Sequence, residues 1–308
     1  MNAIMSGSAR IVTRGSSMLR NVMFYKNKAS LLCSGLRSFS SETENEADEF
    51  KFETLSGDLE GIAVFSMNKP STRNAISRNF LTQFQNALDA VKFDKNLRVF
   101  ILKSDVPGAF CAGADLKERR KMKMEDVGRF VSTGRNLIAN LHDLPVPTIA
   151  AIDGVALGGG LEIALACDMR VAGRMSKIGL VETRLAIIPG GGGTQRLPRL
   201  VGISKAKELI FTARILNGEE SERIGLANYV VDENQAYNKA LELAKEILPQ
   251  GPIALKMAKN AINRGMEVDL ISGMSFEEAS YAQVIPTKDR LEGLQAFKEK
   301  RKPVYRGE

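Results

Sequence analysis

Two glutamates lie beside glycine clusters, and the combination suits chemistry on an activated carbonyl compound. Glu162 closes the stretch Ala156-Leu157-Gly158-Gly159-Gly160-Leu161-Glu162. Glu182 stands seven residues ahead of Pro189-Gly190-Gly191-Gly192-Gly193-Thr194-Gln195. Carboxyl groups can give and take protons at a reacting centre. Glycines let backbone N–H groups come close to an oxygen on which negative charge develops. Each glutamate alone also has an ordinary reading. Glu162 would be a favourable acid in the first turn of a helix, and Glu182 a surface charge beside Arg184.

Other chemistries built on glycine runs or titratable residues do not fit. Neither cluster has the G-x-x-x-x-G-K-[ST] pattern of a phosphate-binding loop. Where a dinucleotide fingerprint needs its third glycine, Gly158 and Gly160 are followed by Ile163, and Gly190 and Gly192 by Gln195. Cys33, Cys111 and Cys167 have no metal spacing and no disulfide framework. His142 is the sole histidine, which excludes a zinc site with several histidines and leaves a Ser-His-Asp device only this residue to use. It precedes Asp143-Leu144-Pro145-Val146-Pro147, a helix end entering a strand, so a structural role is expected.

The elements that must position the glutamates read as short strands alternating with helices. Residues 61–66 form a buried strand, followed by a helix capped by Ser77 whose apolar stripe is Phe80, Leu81, Phe84, Leu88 and Val91. Strands are expected at Leu97–Leu102 and Thr148–Ile152. Between them a helix starts near Ala114 and carries the basic run Lys117 to Lys123. The Gly158–Gly160 turn leads into a helix over Leu161–Ala166. The alternation runs to about residue 232 and indicates an α/β fold. From Ala236 onward four helical segments follow, over 236–248, 252–264, 268–282 and 287–300.

Composition narrows the class further. A chain of 308 residues with 44% hydrophobic content can bury a large core, and no apolar run approaches the roughly 18 residues of a membrane span. The net charge of +7 is unevenly placed. Arg10, Arg14, Arg20, Lys26, Lys28 and Arg37 fall in residues 1–41, which contain no acid, and the remaining chain is within one charge of neutral. That serine-rich, acid-free leader has the composition of an organelle transit peptide. Arg37-Ser38-Phe39-Ser40-Ser41 before Glu42-Thr43-Glu44-Asn45-Glu46 resembles a mitochondrial processing site, so residues 1–40 are assigned as a mitochondrial transit peptide. A plastid leader and a plain basic tail are the other readings.

Taken with Phe110-Cys111-Ala112-Gly113-Ala114-Asp115-Leu116-Lys117, the two glycine clusters become specific. From about residue 52 to the C-terminus the chain resembles the enoyl-CoA hydratase/isomerase (crotonase) superfamily. Further matches are Asn74-Ala75-Ile76, Asp168-Met169-Arg170 and Pro189 to Leu197. Within the family, the stretches 185–198 and 285–293 are most similar to the methylglutaconyl-CoA hydratases that also bind AU-rich RNA. The resemblance implies a spiral of β-β-α turns over residues 50–235 and a helical oligomerisation region over 236–308, assembled as a homotrimer or a dimer of trimers.

It also implies roles. The backbone N–H groups of Ala114 and Gly159 would form the oxyanion hole for the thioester carbonyl. Glu162 would activate the water and Glu182 supply the α-proton; two close carboxyls readily share a proton. Ala75 would lie near the adenine, Arg73 near the phosphates, and Ala114, Asp115, Leu116 and Lys117 along the ligand. Gly190 would line the water and acyl pocket, with Tyr281 and Lys300 at the nucleotide end, reached from a neighbouring subunit. The implied reaction is reversible syn hydration of a 2-enoyl-CoA in the mitochondrial matrix. It uses no metal and no cofactor beyond the coenzyme A of the substrate. Isomerases of the family commonly keep only the second acid, so the presence of both favours hydration.

Two other functions are considered. The first is hydration of 3-methylglutaconyl-CoA in leucine degradation in place of a straight-chain enoyl-CoA. The second is AU-rich RNA binding, attributed in relatives to a lysine-studded helix. The matching stretch, residues 77–92, keeps Arg78 and Lys92 but has Thr82, Gln83 and Gln85 between them. Binding to phosphates accumulates with cations, so nucleic acid is not expected as a partner. A reporter fused to residues 1–50 is expected to enter mitochondria; a reporter that stays cytosolic in fluorescence microscopy would end the leader assignment.

Overall fold

The computed structural model describes residues 48–308, so the leader and its processing site lie outside the described residues. The chain begins with strands β1 (Phe50–Thr54) and β2 (Ile62–Met67), helix α1 (Arg78–Val91), and strands β3 (Val99–Ser104) and β4 (Ala109–Cys111). Helices α2 (Leu116–Lys121) and α3 (Met124–His142), strands β5 (Thr148–Ile152) and β6 (Val155–Leu157), and helix α4 (Gly159–Ala166) follow. Strands β7 (Met169–Gly173) and β8 (Lys177–Gly179) lead through a 3-10 turn at Glu182–Leu185 to α5 (Gly193–Val201) and α6 (Ile203–Phe211). Then come α7 (Gly218–Arg223), β9 (Tyr229–Val231) and α8 (Ala236–Ile247). Helices α9 (Pro252–Gly265), α10 (Leu270–Val284) and α11 (Lys288–Glu299) end the chain.

After β1 and β2, which both join a large sheet, each turn from β3 to β8 sends one strand to that sheet and the next to a small one. The large sheet has the order β1-β2-β3-β5-β7-β9, and the small one β4-β6-β8. All pairs are parallel except β1 with β2. This alternation, with helices after each strand pair, is the β-β-α spiral. Both faces of the large sheet are covered, which explains the nearly continuous apolar runs of its strands. In β2, Ala63, Phe65 and Met67 face one core with α1, α3 and α4, while Ile62 and Val64 face a second core completed by Ala236, Ala240 and Leu243 of α8.

The local elements follow from residue chemistry. Ser77 caps α1 by accepting from the Phe80 N–H at 3.1 Å, and the expected apolar stripe of α1 is buried. The basic run expected on one helix is instead divided. Asp115 caps α2 by accepting from the Lys117 and Glu118 N–H groups, and Arg119, Arg120 and Lys121 form its last turn. Met122 is extended, and α3 begins with Glu125 and Asp126 in its first turn. Cations at one helix end and acids at the next start both suit the helix dipole, which favours the break. The edge strand β1 has no counterpart in the sequence reading. It is held by Phe50, whose ring stacks on Phe65 and meets Phe80 edge-on, each at 4.7 Å between centroids.

One ion pair ties α9 to the spiral. Asp168 accepts from the Thr148 N–H at 2.7 Å, its hydroxyl at 3.0 Å and the Lys259 ammonium at 2.8 Å. Lys259 also donates to the Val146 carbonyl at 3.0 Å and is nearly buried. Truncation of one partner strands the other charge. Asp168→Ala is therefore expected to lower the unfolding free energy by about 3 kcal/mol, read by chemical denaturation. A loss below about 1 kcal/mol would mean that the pair is no tie.

Candidate active site

The site is built where β4 and β6 end side by side. Their parallel register pairs Cys111 with Ala156, and three residues beyond this pair lie Ala114 and Gly159. The two outgoing segments interlock closely. A Cβ on Gly113, which has φ +93°, would lie 2.7 Å from the Leu157 carbonyl oxygen, and one on Gly160 only 2.2 Å from that of Cys111. The Ile76 N–H donates to the Gly113 carbonyl at 2.7 Å and the Asp115 N–H to the Ile76 carbonyl at 3.0 Å. These bonds fix the chain on both sides of Ala114. Gly159 opens α4, while the N–H of Gly158 is taken by the Gly179 carbonyl at 2.9 Å. Among the described residues, the N–H groups of Ala114 and Gly159 donate to no protein acceptor.

Helix α4 is polarised at both ends. Its N-terminus presents a free amide and the positive end of its dipole. At its C-terminus the buried Arg170 donates to the Cys167 carbonyl at 2.8 Å. A cation there complements the dipole.

The two glutamates meet at this N-terminus with different surroundings. Glu162, in the first turn of α4, is 4% exposed. Its Oε1 accepts from the Gly191 N–H at 2.8 Å and the Gly193 N–H at 2.7 Å. Its Oε2 accepts from no group among the described residues. Burial pushes its pKa upward, against the two amides and the charges of Arg196 and Arg135, which favour the anion. Glu182, at the start of the 3-10 turn, lies against Gly158, where a Cβ would be 3.1 Å from Oε1. Its Oε2 is buried with no hydrogen-bond partner among the described residues. Burial, then the charge of Glu162, raise its pKa to about 7. One carboxyl thus has directed donors that favour its anion. The other, with none on Oε2 among the described residues, is poised to keep a proton near neutrality. Unlike surroundings of this kind suit acid–base chemistry.

The remaining expected residues are scattered more widely. Gly190 adjoins the pair, its carbonyl bonded by Arg135. Ala75 is buried, 6% exposed, next to Asn74, whose amide donates to the Phe110 carbonyl at 2.8 Å beneath the Ala114 segment. The Asp115 carboxylate caps α2, and Leu116 and Lys117 are exposed. The exposed Arg73 side chain lines a cavity of about 340 Å³ with Gly108, Gly154 and Lys177, at the starts of β4, β6 and β8. That is the opposite end of the small sheet from the two free amides. Tyr281 and Lys300 are exposed on the C-terminal helices and join no hydrogen bond or ion pair with this site among the described residues. His142 ends α3, and burial, with the charges of Arg196 and Lys259, lowers its pKa.

Sequence reasoning missed the amides of Gly191 and Gly193 and the two arginines behind them. The run of four glycines was the available signal, since consecutive amides without side chains can converge on an anion. Arg135 and Arg196 carried no signal that separated them from surface cations.

The Glu182 shift has a consequence for stability. Its folded value, about 7, lies above the ordinary 4.5, so the folded protein binds this proton more tightly than the unfolded chain. The contribution of Glu182 to stability is present in acid and declines as pH rises from about 4.5 to about 7. Glu182→Gln is expected to flatten that part of the stability–pH curve, measured by denaturation across the interval. An unchanged slope would remove the shift.

The chain matches the family model described as enoyl-CoA hydratase/isomerase over residues 57–308. It is 54% identical to the mitochondrial methylglutaconyl-CoA hydratase of Mus musculus over 100% of this chain and 98% of that protein. It is 50% identical to the mitochondrial enoyl-CoA hydratase domain-containing protein 2 of Mus musculus, covering 89% of this chain and 94% of that one. A crystal structure of enoyl-CoA hydratase from Bacillus anthracis superposes with a TM-score of 0.82 at 47% identity, covering 85% of this chain and 100% of that one. The family match over nearly all of the described residues, and more than half identity across the whole chain, show that the chain belongs to the enoyl-CoA hydratase/isomerase family.

Proposed function

We propose that this site adds water across the 2,3 double bond of a 2-enoyl-CoA thioester, as expected of a hydro-lyase of its family. The observation that carries the reading is the pair of free amides beside two glutamates, one hydrogen-bonded by two amides and the other buried with an unbonded oxygen among the described residues. The thioester oxygen would accept from the Ala114 and Gly159 N–H groups. Charge moving onto that oxygen makes C3 electrophilic, and each such donor is worth roughly 2.7–4 kcal/mol in the transition state. Oε2 of Glu162, left free by the amides on Oε1, takes a proton from water as the oxygen bonds to C3. The carboxyl of Glu182 gives its proton to C2 as the enolate collapses. The pair then holds the same single proton on the other carboxyl, and its return to Glu182 completes the cycle.

The same reading extends to the ligand and the assembly. Arg73, Ala75, Asp115, Leu116, Lys117, Tyr281 and Lys300 are assigned to coenzyme A, and Gly190 to the acyl pocket. Helices α9, α10 and α11 expose Ile262, Met266, Leu270, Ile271, Leu294 and Phe297. So broad an apolar surface favours a homotrimer or a dimer of trimers, in which residues 236–308 make the contacts. The relatives named mitochondrial support a mitochondrial protein, and the reading places it in the matrix. Among the described residues no helix is long and apolar enough to cross a membrane. Nucleic acid is not proposed as a partner, since Arg78 of α1 already pairs with Glu118 and Asp126.

A second reading, hydration of 3-methylglutaconyl-CoA, rests on the 54% identity across the whole chain. Purified residues 40–308 are expected to consume crotonyl-CoA or 3-methylglutaconyl-CoA, followed by loss of the conjugated thioester absorbance. Glu162→Gln and Glu182→Gln should each lower kcat on the order of 10²–10⁴-fold. The faster substrate decides between the two readings, and no turnover of either by folded protein would sink both.

A further inference from the structure

Glu162 owes its orientation to the loop 190–193, and two arginines from different helices hold that loop from behind. Arg135 of α3 donates Nε to the Gly190 carbonyl at 3.0 Å. In a trans peptide the carbonyl and the next N–H point in opposite directions. The grip on the Gly190 carbonyl therefore aims the Gly191 N–H away from Arg135, toward Oε1 of Glu162, where it bonds at 2.8 Å. Arg196 of α5 holds the next two peptides. Its Nη1 donates to the Gly191 carbonyl at 3.1 Å, and its backbone N–H donates to the Gly192 carbonyl at 2.8 Å. The second bond aims the Gly193 N–H at the same Oε1, at 2.7 Å.

The loop is shaped around this grip. Gly192 has φ +112°, and a Cβ there would lie 2.2 Å from Nη1 of Arg196. The guanidinium occupies the space of a side chain. Both arginines bond to the loop rather than to the carboxylate, and their charges also act on Glu162 through space.

We propose that Arg135 and Arg196 are positioning residues for hydration: the Arg135 side chain grips the far side of the 190–191 peptide whose N–H holds Glu162, and the Arg196 side chain fixes the 191–192 peptide that links the two donor amides. The consequence is that Oε1 is fixed and only Oε2 faces the water. The kinetic part rests on the hydratase reading; the structural part does not. The charged groups that face Glu162 are Arg135, Arg196 and Glu182, and Arg196 in turn faces Asp143, Glu267 and His142. A base must be ionised to act, so loosening the amides and removing a cation should move the loss of activity in acid to higher pH.

The test uses two readouts on Arg135→Ala, Arg196→Ala, Arg196→Lys and the double alanine variant. The first is the titration of Glu162 in ¹³C-glutamate-labelled protein by NMR, its resonance identified by loss in Glu162→Gln. The second is kcat and KM for crotonyl-CoA across pH. Each alanine variant should shift the Glu162 titration and the acid limb of kcat upward. It should also lower kcat on the order of 10–100-fold with KM little changed. Arg196→Lys should recover much of the loss, and the double variant should fall short of the product of the two singles. Folded alanine variants with an unmoved Glu162 titration would overturn the proposal. Should Arg196→Ala fail to fold, Arg135→Ala gives the same decision. If wild type turns over no enoyl-CoA, the hydratase reading fails, while the NMR titration still decides the clamp.

Discussion

The parallel pairing of β4 with β6 is the constraint on which the site depends. It places the exits of the two strands in register, so that Ala114 and Gly159 arrive together three residues beyond Cys111 and Ala156. The approach is possible only because Gly113 and Gly160 carry no side chain, each facing the other segment's carbonyl at less than a van der Waals distance from where a Cβ would be. Two backbone amides are thereby left without protein partners among the described residues, beside a helix N-terminus. Elsewhere in a folded core such groups are paired. Their freedom is a property of the fold before any side chain is considered.

The side chains then give the two carboxyls unlike surroundings. Glu162 receives two short amide bonds and the field of two arginines, whereas Glu182 is buried with one oxygen unbonded. The asymmetry comes from hydrogen bonding more than from depth, since Glu162 is the more buried of the two. Burial favours the neutral form of both carboxyls, and directed donors oppose that preference chiefly at Glu162. The same glycine run that holds Glu162 is held by Arg135 and Arg196, so this carboxyl is connected through backbone to α3 and α5.

The C-terminal helices are organised on another principle. Helix α8 closes the back of the large sheet with small residues, Ala236, Ala240 and Ala244, which let it lie close to the strands. Helix α9 is tied by Lys259 to Asp168, yet no residue of α9 is buried, and much of its apolar surface and that of α10 and α11 faces outward. The nearly buried Lys259–Asp168 pair and the exposed Arg264–Asp143 pair join α9 to the spiral.

Much of this protein could be read from residue order. The apolar stripe of α1, the Ser77 cap, the strand at Thr148–Ile152 and the four C-terminal helices are local patterns, set by side-chain periodicity and capping chemistry. The glutamates and glycine clusters, with the resemblance they support, named the chemistry. Register, depth and direction were not legible. Edge strand β1 depends on an aromatic cluster assembled from three separate elements, and the break between α2 and α3 on a balance of charges at two helix ends. Nor could the sequence say that Glu162 would take both its amides from residues 191 and 193, or that Arg196 would lie where Gly192 lacks a side chain. Residue type decides which groups can exchange protons. Which of them is charged, and what it faces, depends on burial and on hydrogen bonds from distant parts of the chain, and only the folded structure brings those together.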